Sequence, residues 1–235
     1  MEDKSSLPYR VEQMTIFDDL MLPMKCDLSE ARENLRKLKA LGLIIGTDEA
    51  GRGALAGPVA AAAVCLTDEQ EKKLLSMKLR DSKLISPNVR EKIFAAMMNM
   101  SVQWRIAWGN PSVIDEKNIL QASLLMMSKC VSDLAARLKA KPVCVIADGN
   151  RKIPGINLDQ WTLIRADKMI PAVSAASIVA KVLRGRLMRR LAERYPGYGL
   201  EKNKGYPTRA HIAKIREIGL SEIHRQTFCK KILEI

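Results

Sequence analysis

The chain is short of the features that mark secreted, membrane-embedded or zinc-stapled proteins. Its five cysteines, Cys26, Cys65, Cys130, Cys144 and Cys229, make an odd count without a Cys-x-x-Cys pair. That pattern fits neither a disulfide framework nor a zinc knuckle, and the thiols are expected to be reduced and buried. The opening MEDKSS is acidic and polar and lacks the basic, then apolar, texture of a secretory signal. The longest weakly polar stretch, Ala54 to Leu66, is interrupted by Gly57 and Pro58, and it is shorter than the ~20 residues that span a bilayer. A cytoplasmic location and no membrane partner are therefore expected. Neither internal repeats nor low-complexity segments are visible. Acidic residues are in deficit, 26 Asp and Glu against 39 Lys and Arg, for a net charge of +13. An anionic polymer is the natural partner of such a surface, although charge alone does not separate a nucleic-acid binder from an enzyme acting on nucleic acid.

What is present has an α/β texture. Residues 1 to about 27 show no sustained periodicity, and a helix is predicted from Asp27 or Ser29 to a stop at Gly42. Residues 1–42 thus read as an N-terminal extension, flexible segment plus helix, ahead of a catalytic domain over 43–235. That domain begins with two short strands, LIIGT from Leu43 and PVAAAAVCL, separated by a glycine-rich turn. Helices are predicted over Asp68 to Met77 and Ser86 to Met100, the second with Ser86 as N-cap and Pro87 in the first helical position. SVQWRIAWG reads as a third strand, Ile119 to Ala140 as a helix, and PVCVIA as a fourth strand ending on Asp148-Gly149. WTLIRA is expected as a fifth strand ending at Asp167, followed by a long helix from Val173 to Arg194. One side of that helix carries Lys181, Arg184, Arg186, Arg189 and Arg190 and is expected to face phosphate. Consecutive strands followed by strands alternating with helices imply a mixed five-stranded sheet with helices on both faces.

Four acids fall at predicted strand ends: Asp48 and Glu49 after the first, Asp148 after the fourth, Asp167 after the fifth. Sites in open α/β sheets gather beyond the carboxyl ends of strands. Parallel pairing of the first and fourth strands would set Asp48 beside Asp148, and grouped carboxylates repel unless cations lie between them. An all-oxygen set suits Mg2+ or Mn2+, and two such ions about ~4 Å apart support in-line attack on a phosphodiester. Adjacent strand residues point to opposite faces, so Asp48 and Glu49 can share one cluster only if the chain bends there, which Gly51 and Gly53 would permit. Taken singly, Asp148-Gly149 is equally a turn and Asp167-Lys168 a solvated pair.

Together, GTDEAGRGALAGPVAAAAV (46–64), IADGN (146–150), ADKMIPAVSAASIVAKV (166–182) and YPGYGLEKNKGYPTRAHI (195–212) resemble the ribonuclease HII family. The similarity runs from about Leu43 to Phe228. It implies a ribonuclease H-like fold with a C-terminal helical region, and Asp48, Glu49, Asp148 and Asp167 as catalytic acids holding two Mn2+ or Mg2+ ions. It further implies that the backbone of Gly51, Arg52 and Gly53 contacts the ribonucleotide 2′-hydroxyl. Tyr206 matches a tyrosine that stacks on the following sugar and favours RNA followed by DNA. Lys83 matches a phosphate-contacting position, but Leu84 replaces the usual second lysine. Ser174, Ser177 and Lys181 lie at a helix start where backbone N–H groups would hold a phosphate. The implied substrates are RNA-DNA hybrids and duplex DNA containing ribonucleotides, cut on the 5′ side of the ribonucleotide. Non-catalytic nucleic-acid binding, or another nuclease on the same fold, are the rival readings. His211 and His224 are expected to be structural rather than proton shuttles. In the extension, Gln13 to Phe17 (QMTIF) resembles the short peptides that dock bacterial replication proteins on a sliding clamp.

Overall fold

The computed structural model describes residues 28–79 and 85–233. Two compact units divide the chain at Leu41/Gly42. In the first, α1 is a helix over Leu28–Leu41. The second holds the sheet.

Five strands form that sheet: β1 (Ile44–Ala50), β2 (Val59–Cys65), β3 (Gln103–Gly109), β4 (Cys144–Asp148) and β5 (Asp159–Leu163). Their order is β3-β2-β1-β4-β5. β1 pairs antiparallel with β2 and parallel with β4, β2 pairs antiparallel with β3, and β4 pairs parallel with β5. The sheet is mixed, as expected, with helices on both faces. Its centre is narrow because β2 is VAAAAVC, buried along its whole length, and alanine lets helices approach from either side. On one face Ile45, Ala61, Ala63 and Val145 pack with α5 (Ile119–Ala135). On the other, Ala50, Ala62 and Val64 pack with α2 (Asp68–Ser76), α3 (Pro87–Asn99) and α7 (Pro171–Arg194).

Local chemistry explains the helix starts. Thr67 and Gln70 form a reciprocal capping box on α2, and Ser86 accepts from Val89 N at α3, with Pro87 in the first turn. A short helix, α4 (Pro111–Lys117), precedes α5. Beyond α7 come α8 (Leu200–Asn203), α9 (Arg209–Ile218) and α10 (Gln226–Leu233), which gather around Leu55, Met188, Tyr198 and Ile215.

Several boundaries differ from expectation, β1 among them, which runs on to Ala50. The helix predicted to Ala140 ends at Ala135, before a segment where Pro142 favours extended backbone. The fifth strand is shifted towards the N-terminus, ending at Leu163, because Arg165 adopts a left-handed conformation (φ 64°) that breaks the strand. Asp167 consequently stands on a one-turn helix, α6 (Ala166–Met169), and not at a strand end. Among the described residues, no helix is long and apolar enough to cross a membrane.

Candidate active site

The parallel ladder between β1 and β4 runs to Thr47 opposite Ala147. The next residues on each strand, Asp48 and Asp148, therefore leave the ladder side by side at its carboxyl end. Odd-numbered residues of β1 face α5: Ile45 lies in the α5 core and the Thr47 hydroxyl stands 3.9 Å from Cys130 Sγ. Even-numbered ones face α7. Pairing with β2 is regular through Asp48, Glu49 and Ala50, so the bend expected between the two acids does not occur. The turn begins only at Gly51, so the two side chains leave β1 on opposite faces, yet at the strand end both carboxylates lie within range of each other's charge and of Asp148.

Asp48 is buried on the α7 side, where the Ser177 hydroxyl bonds it. Ser177 Oγ in turn accepts from Lys181 Nζ at 2.5 Å. Asp48 Oδ1 also accepts the backbone N–H of Glu49 at 2.8 Å. Burial, then the neighbouring charges of Glu49 and Asp148, push the Asp48 carboxyl up to about 7 against the pull of Ser177 and Lys181. Glu49 is raised too, by burial first, while its ion pair with Arg52 at 3.2 Å opposes the shift. Glu49, Arg52 and Asp148 line a pocket of about 220 Å³ together with Ser123, Asn150 and Arg151.

Asp167 is brought in through Asp148. Asp148 Oδ1 accepts the Ala166 N–H at 2.8 Å, and the buried Ser174 hydroxyl donates to the Asp167 carbonyl. Asp167 itself is buried. Three acids thus lie within reach of one another's charge, with the fourth tied beside Asp148. Among the described residues, no three such groups already stand close enough to hold a metal ion. The donor chemistry nevertheless fits a hard divalent cation: the ligands are all carboxylate oxygens, and at least two are held against mutual repulsion and desolvation that a cation would relieve.

Several expectations need correcting. Ser174 and Ser177 are fully buried, and their hydroxyls bond Asp167, Ile170 and Asp48. The basic side of α7 is not a continuous phosphate surface. Arg184 is buried, and Arg186 and Arg189 both pair with Glu91 of α3, at 2.6 and 3.3 Å. Tyr206 is exposed beside Arg184, whose guanidinium lies 5.3 Å from its ring centre. Lys83, Gln13 and Phe17 lie outside the described residues.

His211 and His224 are buried and bonded to each other, Nε2 to Nε2, at 3.2 Å. His224 Nδ1 accepts from Ser221 N at 3.0 Å, and His211 Nδ1 lies 3.0 Å from the Tyr206 carbonyl. The one proton arrangement that satisfies the chain puts hydrogen on His224 Nε2 and His211 Nδ1.

Sequence comparison decides the family. A family model described as ribonuclease HII matches residues 45–231. This chain belongs to the ribonuclease HII family. A curated ribonuclease HII of Marinomonas sp. (strain MWYL1) is 45% identical over 194 residues, covering 82% of this chain and 94% of the relative. The crystal structure of the ribonuclease H2 from Pyrococcus horikoshii OT3 superposes with a TM-score of 0.65 at 25% identity, covering 82% of this chain and 97% of that one. The ribonuclease HII in a complex with PCNA from Archaeoglobus fulgidus gives 0.65 at 26%, covering 80% and 94%. The fold is therefore ribonuclease H-like, and the chain is an endonuclease of the ribonuclease H class. Sequence reasoning put Arg184 on the exposed side of α7 and missed Arg225. Both are charged, and both are buried beneath the Gly51–Gly53 turn.

Proposed function

We propose that this enzyme hydrolyses the RNA strand of RNA-DNA hybrids and cuts duplex DNA on the 5′ side of an embedded ribonucleotide, leaving 3′-hydroxyl and 5′-phosphate ends. The observation that carries the reading is the parallel register that sets Asp48 beside Asp148 at the carboxyl end of two central strands, with Glu49 and Asp167 adjoining. Residues 43–235 form the catalytic domain in this reading, and 1–42 an extension.

Asp48, Glu49, Asp148 and Asp167 would hold the divalent cations, Mg2+ or Mn2+, which supply an activated water and charge stabilisation for the leaving oxygen. Ser177 and Lys181 orient Asp48 from the α7 side. The Asp148–Ala166 bond fixes where Asp167 enters. Arg151 and Arg52 add positive charge at the pocket rim on the Glu49 side, where a phosphodiester backbone would lie. The N–H groups of the Gly51–Gly53 turn read the 2′-hydroxyl, and exposed Tyr206 meets the next sugar. Lys83 adds a phosphate contact. The place of work is the cytoplasm, and Gln13 and Phe17 offer a docking peptide for a sliding clamp, in keeping with the PCNA complex of the Archaeoglobus relative.

A duplex bearing one ribonucleotide, compared with its all-DNA counterpart, tests this directly. Magnesium-dependent cleavage of the first alone, abolished in Asp48→Asn, is expected. Binding without cleavage would reduce the chain to a nucleic-acid binder, and equal cleavage of the all-DNA duplex would make it a nuclease of another specificity.

A further inference from the structure

Arg184 and Arg225 are 2% and 0% exposed, yet among the described residues their guanidinium hydrogen bonds go to backbone carbonyls and none goes to a carboxylate. Burying a guanidinium costs several kcal/mol of hydration, and here two lie close enough to repel. Burial and the Arg184 charge together push Arg225 down to about 9. Packing alone would be served at least as well by apolar side chains of similar volume.

All but one of the carbonyls they hold belong to one stretch of chain, residues 51–58. Arg225 donates to Gly51 O at 2.7 Å, Arg52 O at 2.8 Å and Gly57 O at 2.9 and 3.1 Å. Arg184 donates to Ala56 O at 3.1 Å and Pro58 O at 2.8 Å, and across the gap to Lys204 O at 2.9 Å. In a planar trans peptide the C=O and N–H point opposite ways. Gripping the Gly51 and Arg52 carbonyls from below therefore turns the Arg52 and Gly53 N–H groups away from the core. A carbonyl that accepts from a cation also polarises its peptide, which strengthens the N–H as a donor.

Arg184 does a second thing. A side chain on Gly51, which has φ +91°, would meet Arg184 Nε at 2.0 Å, so the turn rests directly on the guanidinium. The same group lies over the Tyr206 ring, 5.3 Å from its centre, and the backbone beside Tyr206 is tied to the loop by Leu55 N→Gly205 O at 2.7 Å. One buried cation thus touches both the Gly51–Gly53 turn and Tyr206.

We infer that Arg184 and Arg225 are positioning residues for substrate selection: they aim the N–H groups of the Gly51–Gly53 turn and fix the spacing between that turn and Tyr206, so that a ribonucleotide and the deoxynucleotide after it are read as a pair. This rests on the proposed roles of the turn and of Tyr206.

The test compares kcat/KM on a duplex with one ribonucleotide followed by DNA against kcat/KM on a continuous RNA-DNA hybrid. Arg184→Lys and Arg225→Lys keep the charge but lose the planar fork that reaches several carbonyls. Misplacing a binding group by a fraction of an ångström lowers the junction-to-hybrid ratio by about tenfold or more. A variant that merely lost folded protein would lower both substrates equally and leave the ratio unchanged, so the ratio is independent of the folded fraction. The two variants are separate readings of one clamp, and either serves if the other does not fold. Arg186→Lys, on the exposed side of the same helix and paired with Glu91, is the comparison variant and keeps the parental ratio. Tyr206→Ala is run alongside. A ratio that falls in Tyr206→Ala and stays within about twofold of the parent in the folded arginine variant overturns the inference while leaving the reading of Tyr206 intact. A ratio unmoved in Tyr206→Ala removes that reading, and the inference with it.

Discussion

Asp148 Oδ1 accepts the backbone N–H of Ala166 at 2.8 Å, so the carboxylate that ends β4 also anchors the one-turn helix carrying Asp167. Two acids 19 residues apart in sequence are thereby linked through one hydrogen bond. Asp148→Asn keeps an acceptor for Ala166 but loses the charge, whereas Asp148→Ala loses both. Activity is expected to fall about 1000-fold or more in each. Only the alanine variant is also expected to lose about 1–3 kcal/mol of stability. Urea denaturation of the two variants separates the anchor from the charge, and equal destabilisation would argue that the Ala166 bond contributes nothing.

The Ser177 hydroxyl lies between Lys181 and Asp48. If Ser177 orients Asp48, Ser177→Ala is expected to lower kcat by about tenfold with little change in KM. A phosphate contact would instead show as a raised KM. Steady-state kinetics on a duplex with one ribonucleotide distinguishes the two, and a pure KM effect would return Ser177 to the substrate side.

How much of this was legible from residues alone depended on what each signal measures. Apolar runs that stop on acids gave away β1 and β4 with Asp48, Glu49 and Asp148, because a strand buried on both faces leaves few other places for charge. Asp167 was found as an acid but misplaced on a strand, since the left-handed turn at Arg165 carries no glycine or asparagine to announce it. The continuous ladder through Glu49 was hidden as well, because two glycines permit a bend without requiring one. Arg184 and Arg225 are harder to recognise from residues alone. A charged residue at helical spacing reads as a solvated face, and what buries Arg184 is a set of carbonyls as far as 128 residues away in sequence. Arginine at a position where helical periodicity calls for an apolar side chain, as Arg184 stands one turn after the buried Ala180, is the signal that was available.

Glu91 holds Arg186 and Arg189 of α7. Replacing it with glutamine frees two guanidinium groups on the side of the helix first expected to meet phosphate. If that side contacts the duplex, the slope of log K against log salt is expected to steepen by about 1 to 2. Fluorescence anisotropy on a catalytically silenced Asp48→Asn background measures it. An unchanged slope would place the nucleic acid elsewhere.

His224 and His211 are neutral partners in a chain running from Ser221 N to the Tyr206 carbonyl. Burial first, then the neighbouring His211, lower His224 to about 4 from an ordinary value of 6.5. At His224 the folded state therefore binds fewer protons than the unfolded chain between those values, and the contribution of His224 to stability rises with pH across that window. That contribution is fully present above about pH 6.5 and is lost as pH falls towards 4. The raised Asp48 carboxyl contributes with the opposite sign in the same range, so the difference between parent and variant carries the effect: thermal stability between pH 4.5 and 7.5 is expected to rise less with pH in His224→Gln than in the parent, at the cost of a lower melting temperature throughout. A slope of the same size in the variant would assign the titration to another group.

Gly46 is where the sheet meets α7 most closely. A Cβ there would lie 2.3 Å from the Ala172 carbonyl carbon and 2.4 Å from Val173 N, both backbone atoms at the start of the helix. Side-chain rotation cannot relieve such a contact, so Gly46→Ala must push α7 away from β1 and with it Ser177 from Asp48. A loss of about 2–4 kcal/mol is expected, in the range of severe overpacking. Activity at a temperature where the variant remains folded is also expected to fall, because the displaced helix carries the groups that hold Asp48. Denaturant titration combined with kcat on the folded variant checks both outcomes. Lower stability with unimpaired kcat would show that the spacing of α7 is structural only and that Asp48 keeps its orientation without Ser177.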